Sequence, residues 1–564
     1  MNEISFFNVS DQIRKTAVED PQRIALVQAR YLKPWMPKYK KYTYKELAER
    51  VDLMVKKLQK LGVKKGSLCS FMVPPCFNAM ALGAALWELG AVVVGIEPHS
   101  HGLNRIKSCL SKVKPEFFFG TVSAHTGRLA YGWGNDSFKQ KIIVTLDSNT
   151  ALIPIGFKRA ESQTTDSSFK VTLNDIAAIV FTTGSTGAPK PTVLLHKNIS
   201  ALVNLIRESW NMGDGSQVVD LVTFPIFWFI ALSLQGTAVV PPMDFALQGP
   251  AHADPAALLR TIRDHNVRSM FASPALLNNL SQYGQTHGIK IPSVKRIVAG
   301  GAEVLGPLYR SVKAILSSDA ELYSDYGATE CMPLSEISGN EVLSETWDKT
   351  EKGMGLCAGK VFPGVKIKII EITESPIENI KDANELKKGQ IGEIICYSEH
   401  FSHDYFNSPK DSKENKIKDN GFMWHRIGDT GYLDEFNRLW ICGRKSHRVV
   451  TDQGTVFPLC VEPVFNSHPL IKSSALIKVK KSGKEIPAVC LVLKDQNISA
   501  DLMPKDVRQE IINELKTFAQ GFESTKNIDC FLFFDKFPVD RRHNAKIDRP
   551  KLAQLAANKI ASTP

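Results

Sequence analysis

No CxxC pair and no regular spacing occur among the ten cysteines, which are scattered from Cys69 to Cys530. That argues against a disulfide framework or a structural zinc site and suits a reducing, cytoplasmic compartment. The opening residues, MNEISFFNVSDQIRKTAVED, lack the apolar core of a signal peptide, so none is expected. Charge is missing from one stretch, Leu221 to Met243, which has the length of a membrane span. Yet Pro225, Gln235, Gly236 and the pair Pro241–Pro242 interrupt it, Asp220 and Asp244 flank it, and no basic residue marks a cytoplasmic side. The expectation is buried interior that lines an apolar pocket. Internal repeats are absent. So is any basic stripe interleaved with aromatics, which leaves nucleic-acid binding without its usual ground.

With 564 residues the chain is too long for one compact core, so two or more domains are expected. Hydrophobic residues make up 43% and charged ones 23%, an ordinary globular balance and too apolar for a disordered chain. The formal net charge is +12. Such a surface favours nucleotides, anionic membranes or nucleic acid, and reads equally well as inert.

Apolar side chains recur at helical spacing over residues 46–61, closed by Gly62. SLCSFMV (67–73) and AVVVGI (91–96) read as buried strands either side of a helix over 78–89. The alternation continues through SMFASP (269–274) and RIVAGG (296–301), the pattern of a largely parallel α/β sheet. From about Gly353 the character turns to β, with VKIKIIEI (365–372), GEIICY (392–397) and RLWICGR (438–444) divided by charged loops. After Arg444 come strands SALIKV (474–479), AVCLVL (488–493) and CFLFF (530–534), with a helix near 505–520. These make a small unit of ordinary domain size. The expected division is a domain over 1–443, a hinge at 444–448 and a second domain over 449–564.

The strongest chemical signal is FTTGSTGAPK (181–190). An apolar strand, DIAAIVF (175–181), runs into Thr182, Thr183, Gly184, Ser185, Thr186 and Gly187, with Lys190 just beyond. Backbone N–H groups exposed by glycines, hydroxyls and a lysine together make a phosphate cradle. It is not a Walker P-loop, because Ala188 and Pro189 separate Gly187 from Lys190, and TVLLH (192–196) continues as a strand and opens no helix. A plain Gly/Ser/Thr turn has no need of four hydroxyls and a lysine.

This loop resembles the signature of the adenylate-forming enzymes, which include acyl-CoA synthetases, luciferases and the adenylation domains of peptide synthetases. Pro191 departs from the glycine common there. The resemblance implies a large N-terminal domain of parallel α/β subdomains and a distorted β-barrel, with a small mobile C-terminal α+β domain. It also implies ATP and Mg²⁺. Gly300, Gly301 and Ala302 match the adenine-side turn. Tyr326-Gly327-Ala328-Thr329-Glu330 matches the second signature, in which the tyrosine stacks on adenine, the threonine meets the α-phosphate and the glutamate, with Thr186, serves Mg²⁺. Asp325 falls at a polar contact to the adenine amino group, Asp429 at the ribose hydroxyls and Arg444 at ribose or phosphate. Taken alone, Glu330 reads as a helix-start carboxylate and Asp429 as a turn residue. In PVDRRHNAKIDR (538–549) the resemblance implies Lys546 as the catalytic lysine, with Ala545 in place of the usual glycine and Lys551 the nearest alternative.

A carboxylate repels a triphosphate, and Lys546, Lys190 and Mg²⁺ are expected to offset that repulsion while charge develops on the α-phosphate. The second step departs from the pattern of CoA ligases. Ser446 stands at the hinge position, Val450 replaces a lysine, and Trp228 replaces a histidine within FPIFWFI (224–230). The strings WHRIGDTGYLDE, CGRKSHRV, HNAKIDR, SPALLNN and PPMD resemble one branch, the olefin β-lactone synthetases. That implies a 2-alkyl-3-hydroxy fatty acid, closure to a β-lactone with loss of AMP and diphosphate, and partner enzymes of hydrocarbon synthesis. A long-chain acyl-CoA or acyl-AMP ligase on the same fold is the rival reading. Phe224, Phe227, Trp228 and Phe229 are candidates for the acyl pocket, against ordinary core packing. His425 and His447 are candidate bases by location, with structural roles as the alternative. The basic charge permits contact with a membrane surface.

Overall fold

The computed structural model describes residues 8–30, 37–96, 102–134, 137–148, 150–156, 170–182, 189–210, 218–246, 248–481, 484–495, 499–500, 502–538 and 547–561. Among these, four sheets account for the strands. The apolar runs expected as strands become strands, and the helical spacing over 46–61 becomes the helix Tyr44–Lys60. Thr43 and Glu46 close its first turn as a capping box, so two otherwise unpaired N–H groups are satisfied.

A seven-stranded sheet has the order Leu152–Ile155, Gln140–Val144, Phe117–Gly120, Leu68–Met72, Val92–Gly95, Ile176–Phe181, Pro191–Leu195. Its interior pairs are parallel, and the two edge pairs are antiparallel. A fourteen-stranded sheet carries the other half of the large unit. Within it Val219–Leu221, Ser269–Ala272, Arg296–Ala299 and Glu321–Ala328 run parallel. Glu321–Ala328 then turns back antiparallel into Cys331–Ser338. The strands expected as a barrel, among them Lys366–Ile370, Gly392–Tyr397, Phe422–Leu433 and Arg438–Arg444, follow as antiparallel neighbours of the same sheet.

The helix Phe77–Glu88 ties the two large sheets together. Its sequence, FNAMALGAALWE, has no charge before its last residue, and it is buried on nearly every side, as a helix apolar all round must be. Trp87 donates its indole N–H to Ala177 O of the seven-stranded sheet at 2.9 Å, while Phe77 N donates to the Gln28 side chain of the larger one at 2.9 Å. Gly83 lets Trp228 approach, since a Cβ there would lie 2.7 Å from the indole.

Beyond Arg444, strands Ile471–Lys481, Lys484–Leu493 and Cys530–Phe533 form a separate three-stranded sheet packed with helices Pro458–Ser467, Lys505–Ala519 and Arg549–Ala561. Just after Arg444, Lys445–His447 is a single 3-10 turn. Among the described residues no helix is long and apolar enough to cross a membrane.

Candidate active site

In open α/β sheets ligands bind beyond the carboxyl ends of the parallel strands. There Arg296–Ala299 ends in Gly300–Gly301, and Glu321–Ala328 carries Asp325 and Tyr326. Gly301 has φ +86° and faces open space, whereas a Cβ at Gly300 would press on the Phe271 ring at 2.7 Å. One glycine thus serves conformation and the other close packing. Ala302 follows, half-buried.

The Tyr326 hydroxyl donates to Asp429 Oδ2 at 2.7 Å, and Arg444 Nε lies 3.1 Å from Asp429 Oδ1. Asp429 and Arg444 face each other across one ladder, which is why residues fifteen apart meet. Burial, and then the Asp429 charge, push the Tyr326 phenol well above its ordinary range. Asp429, with Tyr326 and Glu330 beyond it, holds the Arg444 guanidinium even more firmly charged.

Thr329 and Glu330 are the two turn residues between Ala328 and Cys331, which pair directly. Gly327 permits that hairpin, because a Cβ there would meet Cys331 O at 2.6 Å. Glu330 is buried and accepts from the Tyr405 hydroxyl at 2.7 Å. Tyr405 is delivered by a segment laid along the seven-stranded sheet: Val193 N donates to Asp404 O at 3.1 Å and Phe406 N to Pro191 O at 2.8 Å. The Lys190 ammonium stands 5.6 Å from the Tyr405 ring centre and that of Lys416 5.4 Å. Lys416 donates to Ser402 O at 2.5 Å. Burial lowers its pKa, and Glu330 opposes that shift.

Lys190 and Thr182 pair on either side of residues 183–188, with Thr182 N donating to Lys190 O at 3.2 Å and Lys190 N to the Thr182 hydroxyl at 3.4 Å. Thr183, Gly184, Ser185, Thr186 and Gly187 lie outside the described residues, and so does Lys546. The neck of the Lys546 segment is closed in turn by Asp548 N donating to Pro538 O at 2.9 Å. Just past it, Arg549 pairs with Glu462 at 2.6 Å. Burial works against the Arg549 charge, but Glu462 and then Glu303, the residue after Ala302, outweigh it and raise its pKa. Lys551 is exposed on the final helix.

On the face of the large sheet opposite Tyr326 is a mainly apolar cavity, open to solvent. Its walls include Phe227, Ile230, Ala231 and Leu234, spaced as one face of the short helix Trp228–Ser233 and its two caps. That spacing corrects the expectation for the aromatic run. Phe227 lines the cavity, but Trp228 points the other way into the core against Gly83, and Phe224 packs edge-on against Phe271 at 5.2 Å. Phe229 is likewise core, 5.7 Å from Trp87. His425 and His447 are not among the lining residues. Burial holds His425 well below the ordinary histidine range, and it lowers His447 to about 4.

Two acids reach this cavity. Asp325 lies in the wall next to Phe271, Met332 and Pro333, and Asp220 lies at the other end, accepting from the Ser269 hydroxyl at 2.7 Å. Burial pushes Asp220 up to about 7. A raised acid contributes stability that is complete below its unfolded pKa of about 4 and is lost as pH climbs through the folded value. Asp220→Asn is therefore expected to keep its denaturation midpoint between pH 5 and 8 while the parent loses stability on the order of 1–3 kcal/mol. Parallel pH profiles for the two proteins would remove Asp220 as the source.

The residue pattern of AMP-binding enzymes matches positions 13–406. The chain belongs to the AMP-binding enzyme family. The olefin β-lactone synthetase of Stenotrophomonas maltophilia (strain K279a) is 34% identical over 530 residues, covering 92% of this chain and 91% of that protein. The protein of the same name from Xanthomonas campestris pv. campestris (strain ATCC 33913) is 34% identical, covering 91% of each chain. In fold, the O-succinylbenzoate coenzyme A synthetase of Bacillus subtilis in complex with AMP superposes with TM-score 0.71 at 20% identity, over 96% of this chain and 97% of that one. This AMP-binding enzyme is accordingly an adenylate-forming ligase. Motif reading did not single out Tyr405, Lys416, Glu336 or Arg296. Tyr405 and Lys416 sit in a charged loop region with no periodicity to betray them, whereas the 227/230/231/234 spacing was available to a helical count.

Proposed function

We propose that this adenylate-forming ligase activates a 2-alkyl-3-hydroxy fatty acid with ATP and then closes the acyl-adenylate to a β-lactone. The observation that carries the reading is the placement of two sites on opposite faces of one strand. Tyr326, with Asp429 and Arg444, forms a polar, charged cluster on one side, and Asp325 faces an apolar cavity on the other. A carboxylate whose alkyl chains fill the cavity therefore meets a nucleotide at the strand end. In this reading Gly300, Gly301 and Ala302 flank adenine, Asp429 and Arg444 hold ribose, and Thr182, Lys190 and the residues 183–187 hold phosphates. The 34% identity to olefin β-lactone synthetases over nearly the whole chain supports the acid proposed.

Glu330 fits a hard cation, being a carboxylate with hydroxyl chemistry beside it. It would hold Mg²⁺ together with Thr186, and the bound ion would supply positive charge to the phosphate oxygens. Lys190 and Lys546 share that task from the protein side. The proposed hinge is 444–448, between a domain over 1–443 and another over 449–564. Lys445 Nζ lies 3.2 Å from Glu393, and Arg448 donates to Glu374 at 2.8 Å, so any rotation there must exchange these pairs.

The test is product identification. A synthetic 2-alkyl-3-hydroxy acid with ATP and Mg²⁺, in the absence of coenzyme A, is expected to give β-lactone, AMP and diphosphate in equal amounts by mass spectrometry. Turnover that demands coenzyme A and ends in a thioester would replace the proposal with an acyl-CoA ligase.

A further inference from the structure

The cavity is lined mainly by carbon, yet a chain of charged side chains runs through its wall. Asp325 and Glu336 face each other directly across the ladder between Glu321–Ala328 and Cys331–Ser338. Cross-strand partners have Cβ atoms about 5 Å apart. Behind Glu336 stands Arg296, ion-paired with it and sandwiched by rings, 3.8 Å from the Tyr323 centre and 4.9 Å from that of Trp210. The Asp325 carboxyl lines the cavity and is hydrogen-bonded to Glu336, with its Oδ1 wholly buried. A buried acid needs its polar atoms met by partners or by whatever fills the space beside them.

Resting on the β-lactone reading, we propose that Asp325 serves the acid substrate and not adenine: its carboxyl group, in the cavity wall, receives the 3-hydroxyl, and the Asp325–Glu336 pair takes that proton on ring closure.

Position selects Asp325 over the other acid in the cavity. Successive residues of a strand point to opposite faces, so Asp325 enters the cavity one residue from Tyr326, at the nucleotide end. Asp220 is level with Ser269, Arg296 and Glu321, four residues earlier along the strand direction. At about 3.3 Å per residue it is some ~13 Å deeper. The 3-hydroxyl is separated from the carboxyl carbon by only two carbon–carbon bonds, and it must sit at the shallow end. His425 and His447 lie outside the wall.

The proton balance closes within the pair. Burial, and then the facing Glu336, keep the Asp325 acid well above the usual carboxylate range, and Glu336 is ion-paired with Arg296 on its other side. Asp325 therefore holds the proton shared with Glu336, and its carboxyl oxygen toward the cavity is the acceptor. In closure the C3 oxygen attacks C1, and the C1–O bond to AMP breaks with its electron pair leaving on the phosphate. The hydroxyl proton moves to that oxygen of Asp325 as the proton already on Asp325 passes to Glu336. No oxidant or further reactant is needed.

The experiment separates the two half-reactions. Diphosphate release and lactone formation are followed in single turnovers with a synthetic 2-alkyl-3-hydroxy acid, for the parent, Asp325→Asn and Glu336→Gln. Asp325→Asn is expected to slow closure about 10²-fold or more, with acyl-adenylate accumulating, and to slow diphosphate release far less. Glu336→Gln, which removes the second acceptor, should show the same split to a smaller degree. Closure at the parent rate in Asp325→Asn overturns the proposal, and so does an equal loss of both steps in both variants, the mark of a packing role. A parent enzyme that releases diphosphate and forms no lactone overturns instead the reading beneath it.

Discussion

Asp429→Ala is expected to lower kcat/KM for ATP about 10²–10³-fold while leaving the fold intact. Two hydrogen bonds to a charged group are each worth roughly 1.5–3 kcal/mol, and each ~1.4 kcal/mol is a factor of ten. In the protein itself the substitution leaves the Tyr326 hydroxyl without its acceptor at 2.7 Å and the Arg444 guanidinium without its carboxylate at 3.1 Å. Both groups then compete for the nucleotide in altered orientations. Asp429→Asn keeps an oxygen for Tyr326 and removes the charge, so its loss should be nearer tenfold. Diphosphate release measured against ATP concentration decides the point. An ATP KM and kcat close to the parent values in Asp429→Ala would show that this carboxylate holds only its protein partners.

The largest stability effect is expected away from the site, at Glu393. Its carboxylate receives two bonds from Arg426, at 2.9 and 2.7 Å, with side chains only 1% and 4% exposed. Arg426 also donates to Thr373 O at 2.7 Å and Ser375 O at 2.8 Å, and Lys445 Nζ lies 3.2 Å from the same carboxylate. Glu393→Ala leaves two cations facing one another in a place that water scarcely reaches. Breaking such a pair from one side costs about 3–5 kcal/mol, although replacing both partners by apolar residues is often neutral. Glu393→Leu combined with Arg426→Met should therefore be more stable than Glu393→Ala alone. Urea midpoints compared among the three proteins test this, as a ranking, because a chain of several units does not unfold in one step. Equal midpoints for parent and Glu393→Ala would mean that the buried pair relaxes onto water or other partners.

Much of the fold was legible because apolar runs and turn residues are local signals. The strands near 67–73, 91–96, 269–274 and 296–301, and the helix near 505–520, lie where the periodicity places them. Sheet order was not legible. Pairing Leu68–Met72 with both Val92–Gly95 and Phe117–Gly120, or Ile24–Arg30 with Thr237–Val240, depends on contacts between residues far apart in the chain. In the site, the glycine and hydroxyl loop stands out in the letters because few other structures require that composition, and its residues 183–187 lie outside the described ones. Trp228 was read with the wrong face, although the spacing of 227, 230, 231 and 234 was open to a helical count. Asp325 shows the converse. Its alternation with Tyr326 was present in the letters, whereas its place in the cavity wall depends on how the sheet is assembled.

The strand that separates Asp325 from Tyr326 does so with a single peptide unit, about 3.8 Å from one Cα to the next. In the proposed reading the two substrates are thus gauged against one another by covalent geometry, which no side-chain adjustment can lengthen. Changes to residues 323–327 would retune acid and nucleotide together. Retailoring the enzyme for longer or bulkier acids is better aimed at the opposite wall, at Phe227, Ile230 and Leu234, where the helix can be reshaped without disturbing that fixed spacing.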